Sequence, residues 1–317
     1  MKVIIITEGG RRIGFGHITR CLSLYQAFEE MKIAPGFIVS GDDSVLDLLK
    51  GKDCRIFDWL REKEKLLALI KGADVIIIDS YLANKTLYNK ISEAICGAGI
   101  LIMIDDYKRI EYPDGIIINP SIYGDRMDYP KKKESIYLLG KDYIILRPEF
   151  RTSAIPIKVI NKEIKKVLVT FGGMNHVDLI HKIMDYLKSR FDFTFDCVDY
   201  RERRVNSKEM LELMLKADLC ISGGGQTVHE LARVGVPTIG ICLSENQRMN
   251  IEAWQEKGFI KYIGWSNDAN LLKNLELAVE KLSSDKLRTK MSMIGRKFID
   301  GLGTSRIVKE ILFYKSI

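Results

Sequence analysis

The sequence runs to 317 residues, 46% hydrophobic and 29% charged, with a formal net charge of +7; this is the composition of an ordinary globular chain long enough for two domains. No apolar run reaches the roughly 20 residues that span a bilayer, and Lys2 leading straight into a strand pattern is not a secretory signal, so the expectation is a cytoplasmic protein without stable membrane insertion. Six cysteines stand singly with no CxxC pair, and the lysines are spread without aromatic interleaving, which points away from structural zinc and from nucleic acid.

Short β-branched runs alternate with helical patterns along the chain. Val3–Ile6 predicts a buried strand. A glycine-rich turn follows, Gly9-Gly10 and then Gly14-Phe15-Gly16-His17-Ile18-Thr19-Arg20, and opens an amphipathic helix. His17 therefore falls in the first turn of that helix, where free backbone N–H groups favour an anion and disfavour a protonated imidazole. A neutral His17, ready to act as a general base, is expected. Further strands are predicted at Gly36–Val39, Val75–Asp79, Ile100–Asp105 and Ile116–Asn119, with helices beginning near Asp43, Glu62 and Asn84. Residues 151–166 contain Pro156, lose periodicity and turn basic, and read as a linker. A second series of strands follows at Lys166–Phe171, Phe193–Val198, Leu219–Ser222 and Thr238–Ile241, with helices near Val177, Lys208, Thr227 and Asn246. Such alternation implies two doubly wound, Rossmann-like α/β domains, residues 1–150 and 167–317, facing one another across a cleft at the carboxyl ends of their strands.

In the second domain, Ser222-Gly223-Gly224-Gly225-Gln226-Thr227 leaves a strand and enters a helix. Glycines there let the backbone approach a diphosphate, and the helix aims its free N–H groups at it. Glu230, one turn further on, is placed to accept hydroxyl hydrogen bonds from a ribose; its plainer reading is an exposed helix carboxylate. The His229-Glu230 pair lacks the second histidine of a zinc site, since Arg233 stands in its place. The first-domain glycines miss the dinucleotide fingerprint, and no GKS or GKT follows a glycine-rich turn. Neither a metal nor a cofactor is expected.

Taken in order, Ile13-Gly14-Phe15-Gly16-His17-Ile18-Thr19-Arg20, Ile78-Asp79-Ser80-Tyr81, Ile104-Asp105-Asp106, Leu139–Tyr143 with Leu146–Phe150, Phe171-Gly172-Gly173, Ser222–Glu230, Glu245-Asn246-Gln247 and Asp300-Gly301-x-Gly303 resemble the UDP-2,4-diacetamido-2,4,6-trideoxy-β-L-altropyranose hydrolases of pseudaminic acid biosynthesis. Those enzymes are similar to the peptidoglycan N-acetylglucosaminyltransferase and share its glycosyltransferase-B fold. The resemblance implies that His17 activates water and that Tyr81 orients it. It further implies substrate contacts from Gly14, Gly16 and Gly173, a diphosphate held by Gly223, Gly224, Gly225, Gln226 and Thr227, a ribose held by Glu230, and a sugar faced by Asn246 and Gln247. The implied activity is hydrolysis of a UDP-sugar with inversion, by a monomer that needs no metal; the alternative is a transferase of the same fold. Tyr81 as a core aromatic and Asn246 as a helix cap are the plainer readings of those two residues. Met174-Asn175 after the glycine pair, and Gln226 in place of a small hydroxyl residue, depart from the family pattern.

Overall fold

The computed structural model describes residues 1–11, 13–95, 97, 99–172, 176–199 and 205–316. They form two compact units, Met1–Arg147 with Leu302–Ile317, and Pro148–Gly301. Among the described residues the first unit holds seven strands: β1 (Val3–Gly9), β2 (Gly36–Gly41), β3 (Cys54–Ile56), β4 (Val75–Asp79), β5 (Ile100–Ile104), β6 (Ile116–Asn119) and β7 (Ile136–Leu139). The second holds five: β8 (Lys166–Thr170), β9 (Thr194–Val198), β10 (Leu219–Ser222), β11 (Thr238–Cys242) and β12 (Ile260–Trp265). Every pairing is parallel, in the orders β3-β2-β1-β4-β5-β6-β7 and β12-β11-β10-β8-β9.

The expected α/β class is therefore found. Central strands are buried on both faces, as β1 and β4 are throughout, because helices cover each side of a parallel sheet. In the first unit these are α1 (Gly16–Glu30), α2 (Lys63–Ile70) and α3 (Lys85–Ile95). α1 turns Ile18, Cys21, Leu24, Tyr25 and Phe28 inward at helical spacing. The second unit follows with α4 (Pro148–Arg151), α5 (Val177–Lys188), α6 (Ser207–Lys216), α7 (Thr227–Val234), α8 (Glu245–Lys257), α9 (Leu271–Leu282) and α10 (Asp285–Phe298). α6 starts at an Asn206/Glu209 capping box, and α7 stops at Gly235, whose φ of 84° a side chain would strain.

Three expectations need correction. The helix anticipated near Asp43 is a three-residue 3-10 turn capped by the Asp42 side chain. The last helix, α11 (Gly303–Ser316), belongs to the first unit. It lies against α1, buries Ile307, Val308 and Ile311, and is tied by Thr304 Oγ1, which accepts from Leu146 N at 2.9 Å. The proposed linker, finally, belongs to the second unit. Asp218 gathers it, accepting from Asn161 Nδ2 at 2.7 Å and from the backbone N–H groups of Lys165 and Lys166 at 2.9 Å, while Ile155 and Ile164 are buried.

Lys158 in the same segment is also buried, its Nζ donating to the Leu215 carbonyl at 2.8 Å. Burial pulls its pKa down from 10.5 to about 8. Between those two values the unfolded chain binds more protons than the folded one, so this group makes stability rise with pH across that window. Relative to Lys158→Met, the wild type should gain up to about 3 kcal/mol in urea unfolding between the two pH values. Parallel stability curves for the two proteins would contradict this.

Candidate functional site

In the first sheet the strand order reverses direction between β1 and β4, and open α/β sheets bind ligands beyond the carboxyl ends at such a point. The loop from β1 into α1 lies there. Gly10 and Gly14 close it by reciprocal backbone hydrogen bonds of 3.0 and 2.8 Å, and Gly14 has a φ of 91°, a value that suits only glycine. Nothing lies within 4 Å of where a Gly16 side chain would begin, so the backbone at the helix start is open on that side. No side chain caps α1.

His17 stands in the first turn, as expected from the sequence. Its Nδ1 is 2.7 Å from Asp79 Oδ1 at the end of β4. Asp79 is fully buried; Arg20 donates to it from Nε and Nη2 at 2.8 and 2.7 Å, and the Cys21 thiol donates at 3.7 Å. Arg20 Nη1 and Nη2 also donate to Asp106 at 2.6 and 3.1 Å. One guanidinium thus bridges two carboxylates, one of which grips the imidazole. With Nδ1–H given to Asp79, the lone pair of the neutral ring lies on Nε2, which makes no hydrogen bond among the described residues. The His17 side chain is 12% exposed, so the ring retains access to solvent.

The pKa of His17 is shifted in the direction opposite to that expected from the helix terminus. Burial alone would lower its pKa, but the adjacent Asp79 carboxylate and the hydrogen bond to it outweigh burial and the Arg20 charge, and hold the pKa above 6.5. The helix terminus is outmatched by a full negative charge at contact distance. Asp79 itself is held below the usual carboxylate range: burial opposes this, but Arg20 and His17 prevail.

Tyr81 packs its ring edge-on against His17, with centroids 4.3 Å apart. Its hydroxyl donates to Asp106 Oδ2, and burial followed by the Asp106 charge raises its pKa. Tyr81 is therefore a neutral wall of the site whose hydroxyl is engaged by Asp106.

In the second sheet the order reverses between β8 and β10, and the glycine loop follows β10. A methyl group on Gly223 would meet Leu243 Cδ1 at 2.8 Å, and one on Gly224 would meet Ile251 Cγ1 at 2.5 Å. Gly224, where a methyl would also meet the Gln247 backbone oxygen at 2.8 Å, is thus required by packing against α8, whereas at Gly223 the tip of Leu243 would have to move aside. Only Gly225 is open, with its nearest neighbour Gln247 Nε2 at 4.0 Å. Gln247 Oε1 accepts from Gly224 N at 2.9 Å and Asn250 Nδ2 donates to Gly224 O at 2.7 Å, so α8 clamps the loop from both sides. Gln226 occupies the cap position of α7 and makes no capping hydrogen bond with its side chain; Thr227 begins the helix. Glu230 is 2% exposed, which rules out the solvated helix carboxylate. Asn246 is exposed in the first turn of α8, where it accepts from Ser244 Oγ at 2.5 Å, and the helix cap is Ser244. Gly173 and the departing Met174-Asn175 lie outside the described residues.

The first unit thus brings His17 and Tyr81 together, and the second brings Gln247 onto the Gly223–Thr227 loop. Sequence reasoning gave no role to Asp79, Arg20, Asp106, Glu8 or Asn250. Asp79 was visible as an acid ending an apolar strand and Asp106 as one just beyond another, positions at the ligand end of the sheet.

Residues 164–302 match the glycosyltransferase family 28 C-terminal domain. The chain is 25% identical to the spore coat polysaccharide biosynthesis protein SpsG of Bacillus subtilis over 97% of its length and 96% of that protein. It is 23% identical to the Helicobacter pylori protein named pseudaminic acid cytidylyltransferase and UDP-2,4-diacetamido-2,4,6-trideoxy-β-L-altropyranose hydrolase, over 87% of the chain and 51% of the relative. The chain spans about half the length of two of the curated relatives it matches, 57% and 51%. Among solved structures, MurG of Acinetobacter baumannii superposes with a TM-score of 0.68 at 13% identity, covering 98% of this chain and 99% of that one. The fold is glycosyltransferase-B, and the resemblance to the UDP-sugar hydrolases read from the motifs is borne out.

Proposed function

We propose that this chain hydrolyses a UDP-linked 2,4-diacetamido-2,4,6-trideoxy sugar to UDP and the free sugar, in the cytoplasm, as a step toward a nonulosonate such as pseudaminic acid. The observation that carries the reading is the buried Asp79–His17 pair with Nε2 left open. In this reading, water attacks the anomeric carbon, its proton passes to His17 Nε2, and the bond from that carbon to the diphosphate oxygen breaks with its electron pair leaving on UDP. The leaving diphosphate is a weak base and needs little acid assistance. The N–H groups from Gly225 to Thr227 at the start of α7 hold its charge, and no metal ion is required. A base of this kind contributes about 10²–10⁴-fold, so orientation and charge stabilisation supply the rest.

The test is phosphorus NMR of UDP release without any acceptor, in chelator, in water labelled with heavy oxygen. Release should proceed at the same rate as with magnesium, and the sugar should appear with inverted configuration and one labelled oxygen at its anomeric carbon. Label in UDP would mean attack at phosphorus. Turnover only on adding a sugar or lipid acceptor would select the second reading, a transferase in which His17 deprotonates an acceptor hydroxyl; the match to a glycosyltransferase domain over residues 164–302 favours that alternative.

Glu230→Ala is expected to weaken UDP binding by about 1–3 kcal/mol through lost charge-assisted hydrogen bonds to the ribose, with a smaller effect on the rate at saturation. Unchanged affinity by calorimetry would make Glu230 a residue of the fold and leave the nucleotide to the loop alone.

A further inference from the structure

One buried carboxylate beside the site has no part in the reaction described above. Glu8, near the end of β1, is fully buried, and the register of β1 on β4, Thr7 opposite Asp79, brings it beside the turn that follows Asp79. The Ser80 hydroxyl donates to Glu8 Oε2. Glu8 Oε1 accepts from the backbone N–H of Tyr81 at 2.7 Å and of Leu82 at 3.1 Å. Ser80 Oγ in turn accepts from Leu82 N at 3.1 Å and Ala83 N at 2.9 Å. The turn after β4 therefore hangs from a carboxylate on β1, and that turn carries Tyr81, whose ring meets the His17 imidazole edge-on.

Burying a charge without a cation against it is costly, and turn geometry alone could be held by a neutral group. What the carboxylate adds is negative charge near the imidazole. Burial raises the pKa of Glu8, and the Ser80 hydrogen bond, the His17 charge and the N–H groups of Tyr81 and Leu82 pull it part of the way back.

We propose that Glu8 is a positioning residue of the His17 site: it gathers residues 80–82 so that Tyr81 is seated against the imidazole, and its charge favours the imidazolium formed when water loses its proton. The last part rests on the function proposed above; the seating of Tyr81 does not. His17 is faced by Asp79 from β4, Arg20 from its own helix, Asp106 after β5 and Tyr81 from the turn, and Glu8 stands behind that turn, bonded to the Tyr81 and Leu82 N–H groups. Glu8 is the member whose charge can be removed without breaking an ion pair with Arg20.

The experiment is Glu8→Gln beside Glu8→Ala, read by NMR titration of the four histidines, with His17 assigned from its absence in His17→Asn, and by kcat and KM on the UDP-sugar. The glutamine oxygen can still accept from the backbone N–H groups of Tyr81 and Leu82, so the backbone of the turn keeps its seat while the charge goes; the Ser80 hydroxyl, whose oxygen already accepts from Leu82 and Ala83, loses its acceptor on Glu8. The His17 titration in Glu8→Gln should move to lower pH, with kcat reduced and KM unchanged. Glu8→Ala should also release the turn, and a misplacement of about 1 Å costs up to about 10²-fold in kcat. A His17 titration in Glu8→Gln that superposes on the wild type, or unchanged kcat in both variants with only a lower melting temperature, would overturn the proposal. Should Glu8→Ala fail to fold, Glu8→Gln decides. Should no UDP-sugar turn over, the functional reading falls, and the His17 titration, which needs no substrate, still decides the role of Glu8.

Discussion

Asp79→Asn is expected to lower turnover by up to about 10⁴-fold, the loss produced by the same change behind the histidine of a serine protease. The carboxylate accepts from Nδ1–H and so keeps the lone pair on Nε2; an amide that donates to Nδ1 moves the proton to Nε2 and abolishes the base. Asp79 also raises the pKa of His17, so any residual activity should show its acid limb at lower pH than the wild type. The same substitution leaves Arg20 with Asp106 alone and should destabilise the unit, so melting temperature is followed beside the pH profile of kcat/KM. A folded Asp79→Asn protein with wild-type turnover would remove the pair from the mechanism.

His17→Ala or His17→Asn should lower turnover by at least about 10²-fold while UDP affinity stays within a few-fold, because the residues proposed to hold the nucleotide belong to the second unit. Equal losses in rate and affinity would make His17 a binding group. The pH dependence has a defined sign. Only neutral His17 takes a proton from water, so the wild-type rate should rise with pH through a value above 6.5. Stability runs the other way: with the folded pKa raised, the contribution of this pair is fully present below the unfolded value and is lost as pH rises through the folded one.

The central strands were readable because burial on both faces writes them as continuous β-branched runs. Three strands were not: β3, β7 and β12, each at an edge of its sheet. Their burial is mixed, with no residue of β3 fully buried, and short half-buried runs resemble loops. His17 and the glycine loop were legible for a local reason, since strand, turn and helix start are adjacent in sequence. The upward shift of the His17 pKa was not, because the carboxylate that produces it lies 62 residues away. The docking of 151–166 onto the second unit was hidden likewise, as its partner Asp218 lies more than fifty residues on.

The return of α11 to the first unit has a consequence for the order of folding during synthesis. Residues Pro148–Gly301 are one uninterrupted stretch, whereas the first unit is completed only by Leu302–Ile317. Domains fold largely as they leave the ribosome, yet here the unit begun first is finished last. Until Thr304 reaches Leu146 and Ile307 and Ile311 cover their neighbours, the nascent first unit presents an open apolar seam, and the second unit is the one able to mature without waiting.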